Sequence, residues 1–194
     1  MQKQSIFQTD GDRLRFLFLL LSFQGEAVIK NISREVHQSV QSRALHIKDE
    51  LKSKILEKRR VELVVFCLAP NHFHIIVREL VDNGISKYMH RVLTAYTKYF
   101  NTRHEKSGHL FQGPYKSVHI GEDRQLMHTS AYIHKHPCEI NGWARKEHLY
   151  PWSSYQDCIG ENRFEELLIT DVITDRYIKD KEVSSYKKFV SSSP

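Results

Sequence analysis

The sequence VELVVFCLAPNHFHIIVREL (residues 61–80) contains two apolar runs with a short Pro-Asn turn between them. β-Branched and aromatic side chains are frequent in both runs, which predicts a β-hairpin. Successive side chains of a strand point to opposite faces, so His72 and His74 should share one face of the second strand. The opposite face should pack in the core and consists of Phe73, Ile75 and Val77.

The histidine pair is a candidate metal site. Two imidazoles about 7 Å apart along a strand could hold one divalent ion, and histidine is the commonest protein metal ligand. The alternative is a pair of half-exposed strand histidines without a ligand, because a chain with 12 histidines in 194 residues should contain about one His-x-His pattern by chance. A second copy, His134-Lys135-His136, should lie on a helix, where its rings point about 200° apart and cannot share an ion.

Composition limits the class of protein and the kind of partner. With 194 residues, of which 40% are apolar and 11% aromatic, the chain can bury the core of one domain with a short appendage. The 29 Lys and Arg residues outnumber the 23 Asp and Glu residues, and the net charge is +6. This balance favours a polyanionic partner such as nucleic acid. A generic basic protein without such a partner is the alternative.

Cysteine usage and hydropathy predict a cytoplasmic location. The three cysteines form neither a CxxC pair nor an even disulfide set, which is typical of a reducing compartment and argues against a zinc ribbon. The most apolar run, RFLFLLLSF (residues 15–23), is shorter than a membrane span and lacks the flanks of a signal peptide. We therefore predict no membrane partner and a buried helix here, capped at Thr9 or Asp10.

Helical periodicity predicts further helices on both sides of the hairpin. Residues 29–58 are weakly periodic, residues 84–101 carry a long apolar stripe, and a helix over 123–136 should end before Pro137. The alternating residues 115–120 predict a short strand. The order helix, hairpin, helix, strand, helix is that of an α+β fold with helices on one face of an antiparallel sheet.

The helix over 123–136 carries a tyrosine and a histidine one turn apart. Tyr132 and His136 should project side by side, because residues at i and i+4 are neighbours on a helix. If this helix lies against the hairpin, His72, His74 and His136 could hold one cation while the Tyr132 phenol faces whatever the cation binds. A phenol is a weak nucleophile until a metal polarises its target. The alternative is that Tyr132 packs in the core and His136 merely closes the helix.

Four motifs together resemble a known family. NHFHIIV (71–77) resembles the His-hydrophobe-His motif of the HUH endonucleases. TAYTKYFNTRHEKSGHLFQGPYKS (94–117), SAYIHKHP (130–137) and YPWSSYQD (150–157) follow in the order found in single-tyrosine transposases of the REP-associated, insertion-sequence 200-like kind. The similarity covers about residues 6–158. The combination is specific, although no single motif would be.

The resemblance implies a ferredoxin-like catalytic domain that nicks and rejoins single-stranded DNA at hairpin-bearing repeats. It implies that His72 and His74 bind the metal and that Tyr132 is the nucleophile. His136 stands where the family has a metal-binding Asn. The implied cofactor is a divalent metal, Mg²⁺ or Mn²⁺, and the histidine shifts the preference from Mg²⁺ towards Mn²⁺ or a later transition metal.

The resemblance also implies single-stranded or hairpin DNA as the partner, and the chain could assemble as a homodimer. Tyr96 and Tyr99 should then be packing residues of their helix rather than nucleophiles. Basic side chains near the motifs could contact backbone phosphates, or each could lie on a solvated helix face. These candidates are Lys87, Arg91, Lys98, Arg103 and Lys116.

Three departures from the family's pattern affect these expectations. The family's first strand has no counterpart ahead of Ile6, which leaves three alternatives for the ferredoxin-like sheet: a truncated reading frame, an inactive remnant without this strand, or a strand supplied by a partner. His136 replaces Asn, and Pro114 replaces an Arg, which removes one phosphate contact. We expect the transposase domain to span residues 1–160 and a helical tail to span 161–194.

Two other functions remain open from the sequence. A non-catalytic module that binds hairpin DNA would be consistent with a missing strand, although all the expected site residues are present. A zinc hydrolase would need a general base near the metal, and the histidine motif contains no Glu or Asp. Formation of a covalent protein–DNA adduct would separate these functions from a transposase.

Overall fold

The computed structural model describes residues 5–36, 45, 47–176 and 184–193. These residues form an α+β fold with a two-stranded antiparallel sheet. The strands are β1 (Val61–Ala69) and β2 (His72–Glu79), and the helices are α1 (Asp10–Ser22), α2 (Asp49–Glu57), α3 (Gly84–Arg103), α4 (Asp123–Lys135), α5 (Tyr155–Ile159), α6 (Asp171–Thr174) and α7 (Ser184–Ser192). Residues 32–36 are also helical. No helix among the described residues is long and apolar enough to cross a membrane.

The chain divides into two compact units. The first comprises Met1–Glu62 and Arg78–Tyr115, and the second comprises Leu63–Val77 and Lys116–Pro194. The middle of the hairpin therefore belongs to the second unit. Of the residues predicted as a separate tail, 161–176 and 184–193 supply part of the core of that unit. Their buried side chains include Leu167, Ile173, Tyr186 and Val190.

The first unit is built on α1 and α3. The cap predicted at Thr9 is confirmed: its hydroxyl accepts from the Asp12 N–H at 3.2 Å, and the Asp12 carboxylate accepts from the Thr9 N–H at 2.9 Å. The Tyr96 hydroxyl is buried and donates to the Ile6 carbonyl at 2.6 Å. The partly buried Tyr99 donates to Asp12 at 3.1 Å. Both tyrosines are packing residues, as predicted.

The hairpin predicted from the sequence is confirmed. Strand β1 is buried along most of its length, and irregular backbone forms hydrogen bonds with the edge that does not pair with β2. The Leu68 N–H donates to the Trp152 carbonyl at 2.9 Å, and the Ser154 N–H donates to the Phe66 carbonyl at 3.0 Å. The wider ferredoxin-like sheet stays a prediction.

The predicted core face of β2 is wrong. Phe73, Ile75 and Val77 stay partly exposed, whereas Ile76, on the histidine face, is buried. The reason is that the core of the second unit lies on the histidine side, where Ile76 clusters with Ala131 and Ile133 of α4.

The strand predicted over 115–120 is also wrong. These residues form neither helix nor strand, and Val118 is 80% exposed. Two alternating apolar residues are too short a signal to fix a strand without a partner edge, and the open edge of β1 is taken by residues 152–154. In the predicted helical region 29–58, residues 37–44 and 46 lie outside the described residues.

Candidate functional site

Helix α4 positions the predicted nucleophile. It runs from Asp123 to Lys135, within one residue of the predicted bounds, and a 3-10 turn with Pro137 follows it. Its packing side holds Ala131 and Ile133 in the core, so the intervening Tyr132 points away from the core and is 52% exposed. The alternative that Tyr132 is a core tyrosine is therefore wrong.

Three imidazoles lie together in the second unit. One ring nitrogen from each of His72, His74 and His136 lies within 4.8 Å of the other two. The Nε2 atoms of His72 and His136 are only 2.6 Å apart. The ring of His74 lies 5.0 Å from that of His72 and 4.9 Å from that of His136. The two sequence motifs thus supply one candidate ligand set.

The surroundings of His74 keep it neutral. Burial lowers the pKa of His74 to about 4, and the neighbouring His136 and His72 act in the same direction. At neutral pH its ring therefore carries a free lone pair. A metal ligand must be deprotonated, so His74 is in the protonation state that a metal ligand needs.

Two polar side chains lie beside the candidate ligands, and sequence reasoning missed both. Asn71 Oδ1 lies 2.6 Å from His72 Nδ1, so it can accept the Nδ1 proton and leave Nε2 free for a cation. His136 Nδ1 is buried without a hydrogen bond, and the Glu139 carboxylate lies 3.6 Å from it. The available signal was their position in the sequence: Asn71 stands one residue before His72, and Glu139 stands three residues after His136.

The Tyr132 ring faces the imidazoles. Its centroid lies 5.7 Å from that of His74 and 6.2 Å from that of His136. Side-chain exposure leaves room for a substrate to reach the hydroxyl. The arrangement therefore places an accessible hydroxyl beside three imidazole rings.

A buried network of hydrogen bonds around His134 holds the part of α4 that lies between Tyr132 and His136. His134 is fully buried, with Nδ1 2.6 Å from the Tyr186 hydroxyl and Nε2 2.8 Å from the Ser154 hydroxyl. Ser154 in turn accepts from the backbone N–H of Phe66 in β1 at 2.9 Å. His134 stands two residues from both Tyr132 and His136, so this network holds the end of α4 against the hairpin.

The candidate DNA-contacting residues fall into two groups. Arg91 donates to the carbonyl oxygens of Gly25 and Ala27, and its guanidinium lies 4.5 Å from the centre of the Phe23 ring. Its hydrogen bonds therefore give it a structural role. The other candidates are exposed, and their contact with DNA stays a prediction. They are Lys87, Lys98, Arg103 and Lys116.

Comparison with known proteins identifies the family. Residues 28–136, more than half of the chain, match the family model described as Transposase IS200 like. The match includes both strand histidines, Tyr132 and His136. No curated protein and no solved structure is significantly similar to the chain. The resemblance of the motifs and the family match agree, and the chain belongs to the IS200-like transposase family.

Proposed function

We propose that the chain is a metal-dependent, single-tyrosine transposase that nicks and rejoins single-stranded DNA at hairpin repeats. Membership of the family implies a transposase-type activity on DNA. The observation that carries the finer proposal is the exposed Tyr132 beside three imidazoles whose ligand atoms lie within 4.8 Å of one another.

The residues present fit a divalent cation. Three protein ligands with further positions open are typical of catalytic rather than structural metal sites. Imidazole nitrogens suit Mn²⁺ or a later transition metal, whereas Mg²⁺ prefers oxygen ligands. We therefore favour Mn²⁺, held by His72, His74 and His136. When bound, such a cation would polarise a phosphate oxygen and stabilise the charge that develops on it.

Tyr132 supplies the nucleophile in the proposed reaction. Its hydroxyl oxygen attacks the scissile phosphorus and forms a 5′-phosphotyrosyl bond, while the bond from phosphorus to the 3′-oxygen breaks. The phenol loses its proton and the departing oxygen gains one, so a 3′-hydroxyl is freed. A second 3′-hydroxyl reverses the exchange and rejoins the DNA, and no ATP is needed.

The charge of the chain supports DNA as the substrate. The net charge of +6 favours a polyanion. Lys87, Lys98, Arg103 and Lys116 are exposed and could each neutralise a backbone phosphate. A single strand can bring one phosphate to a partly buried ligand set more readily than a duplex, so single-stranded DNA beside a hairpin is the proposed substrate.

A ferredoxin-like sheet is part of the proposal. Hydrogen bonds to residues 152–154 cover the outer edge of β1. A further strand would therefore have to pair along β2, and a homodimer is one assembly that could supply it.

A DNA-binding module without catalysis is the second candidate. The observation that favours it is the sheet, which has two strands among the described residues. The test is incubation of the protein with hairpin oligonucleotides that carry single-stranded flanks, in Mn²⁺ or in chelator. A metal-dependent covalent adduct in a denaturing gel supports the transposase, whereas DNA binding without any adduct supports the binding module.

A further inference from the structure

A buried arginine in the first unit has few partners. Arg15 of α1 is 8% exposed, and its Nη1 donates to the Ser33 hydroxyl at 3.3 Å. Its Nε is buried without a hydrogen bond. The guanidinium carbon lies 4.8 Å from the centre of the Tyr99 ring. No carboxylate pairs with Arg15 in the part of the chain that the structure describes.

The environment of Arg15 disfavours its charge. Burial lowers the pKa of Arg15, and a buried cation is unfavourable unless it is paired. Among the described residues Asp12 forms no ion pair with Arg15. Its oxygens accept from backbone N–H groups and from Tyr99, lie 3.1 and 3.2 Å from a His104 ring nitrogen, and face Arg103 Nε at 3.6 Å. A guanidinium has five N–H donors, and a small anion could use those that remain.

The space beside Arg15 could hold such an anion. A surface cavity of about 420 Å³ opens there. Two arginines, a serine and an asparagine are among the residues that line it, and none of the lining residues within the described ranges is acidic. Its lining residues are Arg15, Ile29, Asn31, Ile32, Ser33 and Arg34.

We propose that this cavity binds a phosphate group of the DNA backbone through Arg15 and Arg34. Planar guanidinium groups bind phosphate oxygens in pairs, and these bonds are among the strongest hydrogen bonds in proteins. Arg15 is buried, whereas Arg34 is exposed and lines the same cavity. The choice of DNA as the source of the phosphate rests on the proposed function.

The experiment measures the affinity of the full chain for a single-stranded oligonucleotide over a range of salt concentrations, in chelator. Removal of one phosphate contact should make the log-log slope shallower by about 0.7, which is about fivefold in affinity at 0.1 M salt. We expect this change for Arg15→Met and separately for Arg34→Gln. Arg34 is exposed, so its variant tests the cavity even if Arg15→Met fails to fold.

The matched control is Lys54→Gln, which also removes one positive charge from the first unit but lies on an exposed helix face. It should keep the wild-type slope. If the wild type binds the oligonucleotide and both arginine variants keep the wild-type slope, the inference about the cavity is overturned while the proposed function is not. A wild type that binds no oligonucleotide would overturn the proposed function, and the DNA assignment of the cavity with it.

A second arm distinguishes a backbone phosphate from a free one. Inorganic phosphate is added without DNA, and the thermal midpoint of the wild type is compared with that of Arg34→Gln. If inorganic phosphate raises the midpoint only when Arg34 is present, while the oligonucleotide slopes of wild type and variant agree, the cavity takes free phosphate. That result would overturn the DNA assignment.

Discussion

The Nε2 atoms of His72 and His136 lie 2.6 Å apart, although the residues are 64 positions apart in the chain. Two imidazole nitrogens at that distance share a proton, because two bare lone pairs would repel each other, and a cation could take the place of that proton. The neutral ring of His74 beside them adds a third donor. The pair therefore links strand β2 to the end of helix α4 and forms the basis of the proposed metal site.

Removal of His74 should weaken metal binding. His74→Ala leaves two ligands, and we expect Mn²⁺ affinity to fall by more than about 100-fold, since loss of a partner outside the ligand set already costs about 10- to 100-fold. Calorimetric titration with Mn²⁺ measures the change. The exposed His90 provides the control, and His90→Ala should bind Mn²⁺ as the wild type does. Equal affinity in His74→Ala and the wild type would exclude the site.

Glu139 should tune the same site from outside the ligand set. Its carboxylate lies 3.6 Å from the buried Nδ1 of His136 and can hold that ring with Nε2 towards the cation. We expect Glu139→Gln to lower Mn²⁺ affinity about 10-fold. The exposed Glu161 offers a variant of the same type, Glu161→Gln, that should have no effect. If the two variants bind Mn²⁺ equally well, Glu139 does not orient His136.

His134 should make the stability of the metal-free protein depend on pH. Burial lowers the pKa of His134 from its ordinary value of 6.5 to about 3. Below pH 6.5 the unfolded chain binds a proton that the folded chain does not, so the stabilising contribution is complete above pH 6.5 and is lost progressively towards pH 3.

Denaturant unfolding between pH 6.5 and 5 measures this contribution. The free energy of unfolding should decrease as the pH is lowered, and His134 should account for up to about 1.4 kcal/mol of this decrease per pH unit. His134→Gln keeps a hydrogen-bonding side chain but does not titrate, so its pH dependence should be shallower by that amount. Parallel curves for the wild type and His134→Gln would refute the prediction.

Local signals in the sequence were sufficient to predict several elements. Alternation and β-branching placed both strands, Thr9 marked the start of α1, and Pro137 marked the end of α4. The candidate site followed from two short patterns, the strand histidines and the i, i+4 pair of Tyr132 and His136. Each pattern is local, and the assumption that α4 lies against the hairpin joined them.

Features that depend on tertiary packing could not be predicted in this way. Alternation identifies the two faces of β2 but does not say which of them meets the core, so the burial of Ile76 was missed. The sequence of a basic residue at helical spacing is the same whether its partner is a phosphate or a carbonyl, so the bond from Arg91 to the Gly25 carbonyl could not be predicted. The contact of Glu139 with His136 depends on a turn that the periodicity does not describe.

Tyr132→Phe tests the proposed nucleophile most directly. Phenylalanine keeps the ring, and the hydroxyl of this exposed residue forms no hydrogen bond within the described part of the chain, so folding, metal binding and DNA binding should be preserved. Tyr99→Phe is the matched control, because it makes the same substitution in the first unit, where the Tyr99 hydroxyl donates a hydrogen bond to Asp12.

The measurement is the yield of covalent adduct with a single-stranded, hairpin-flanked oligonucleotide in Mn²⁺, followed by peptide mapping. The wild type and Tyr99→Phe should both form the adduct, and it should map to the peptide that contains Tyr132. Tyr132→Phe should form none while it still binds the oligonucleotide. Equal adduct from Tyr132→Phe, or an adduct that maps to another tyrosine, would contradict the assignment.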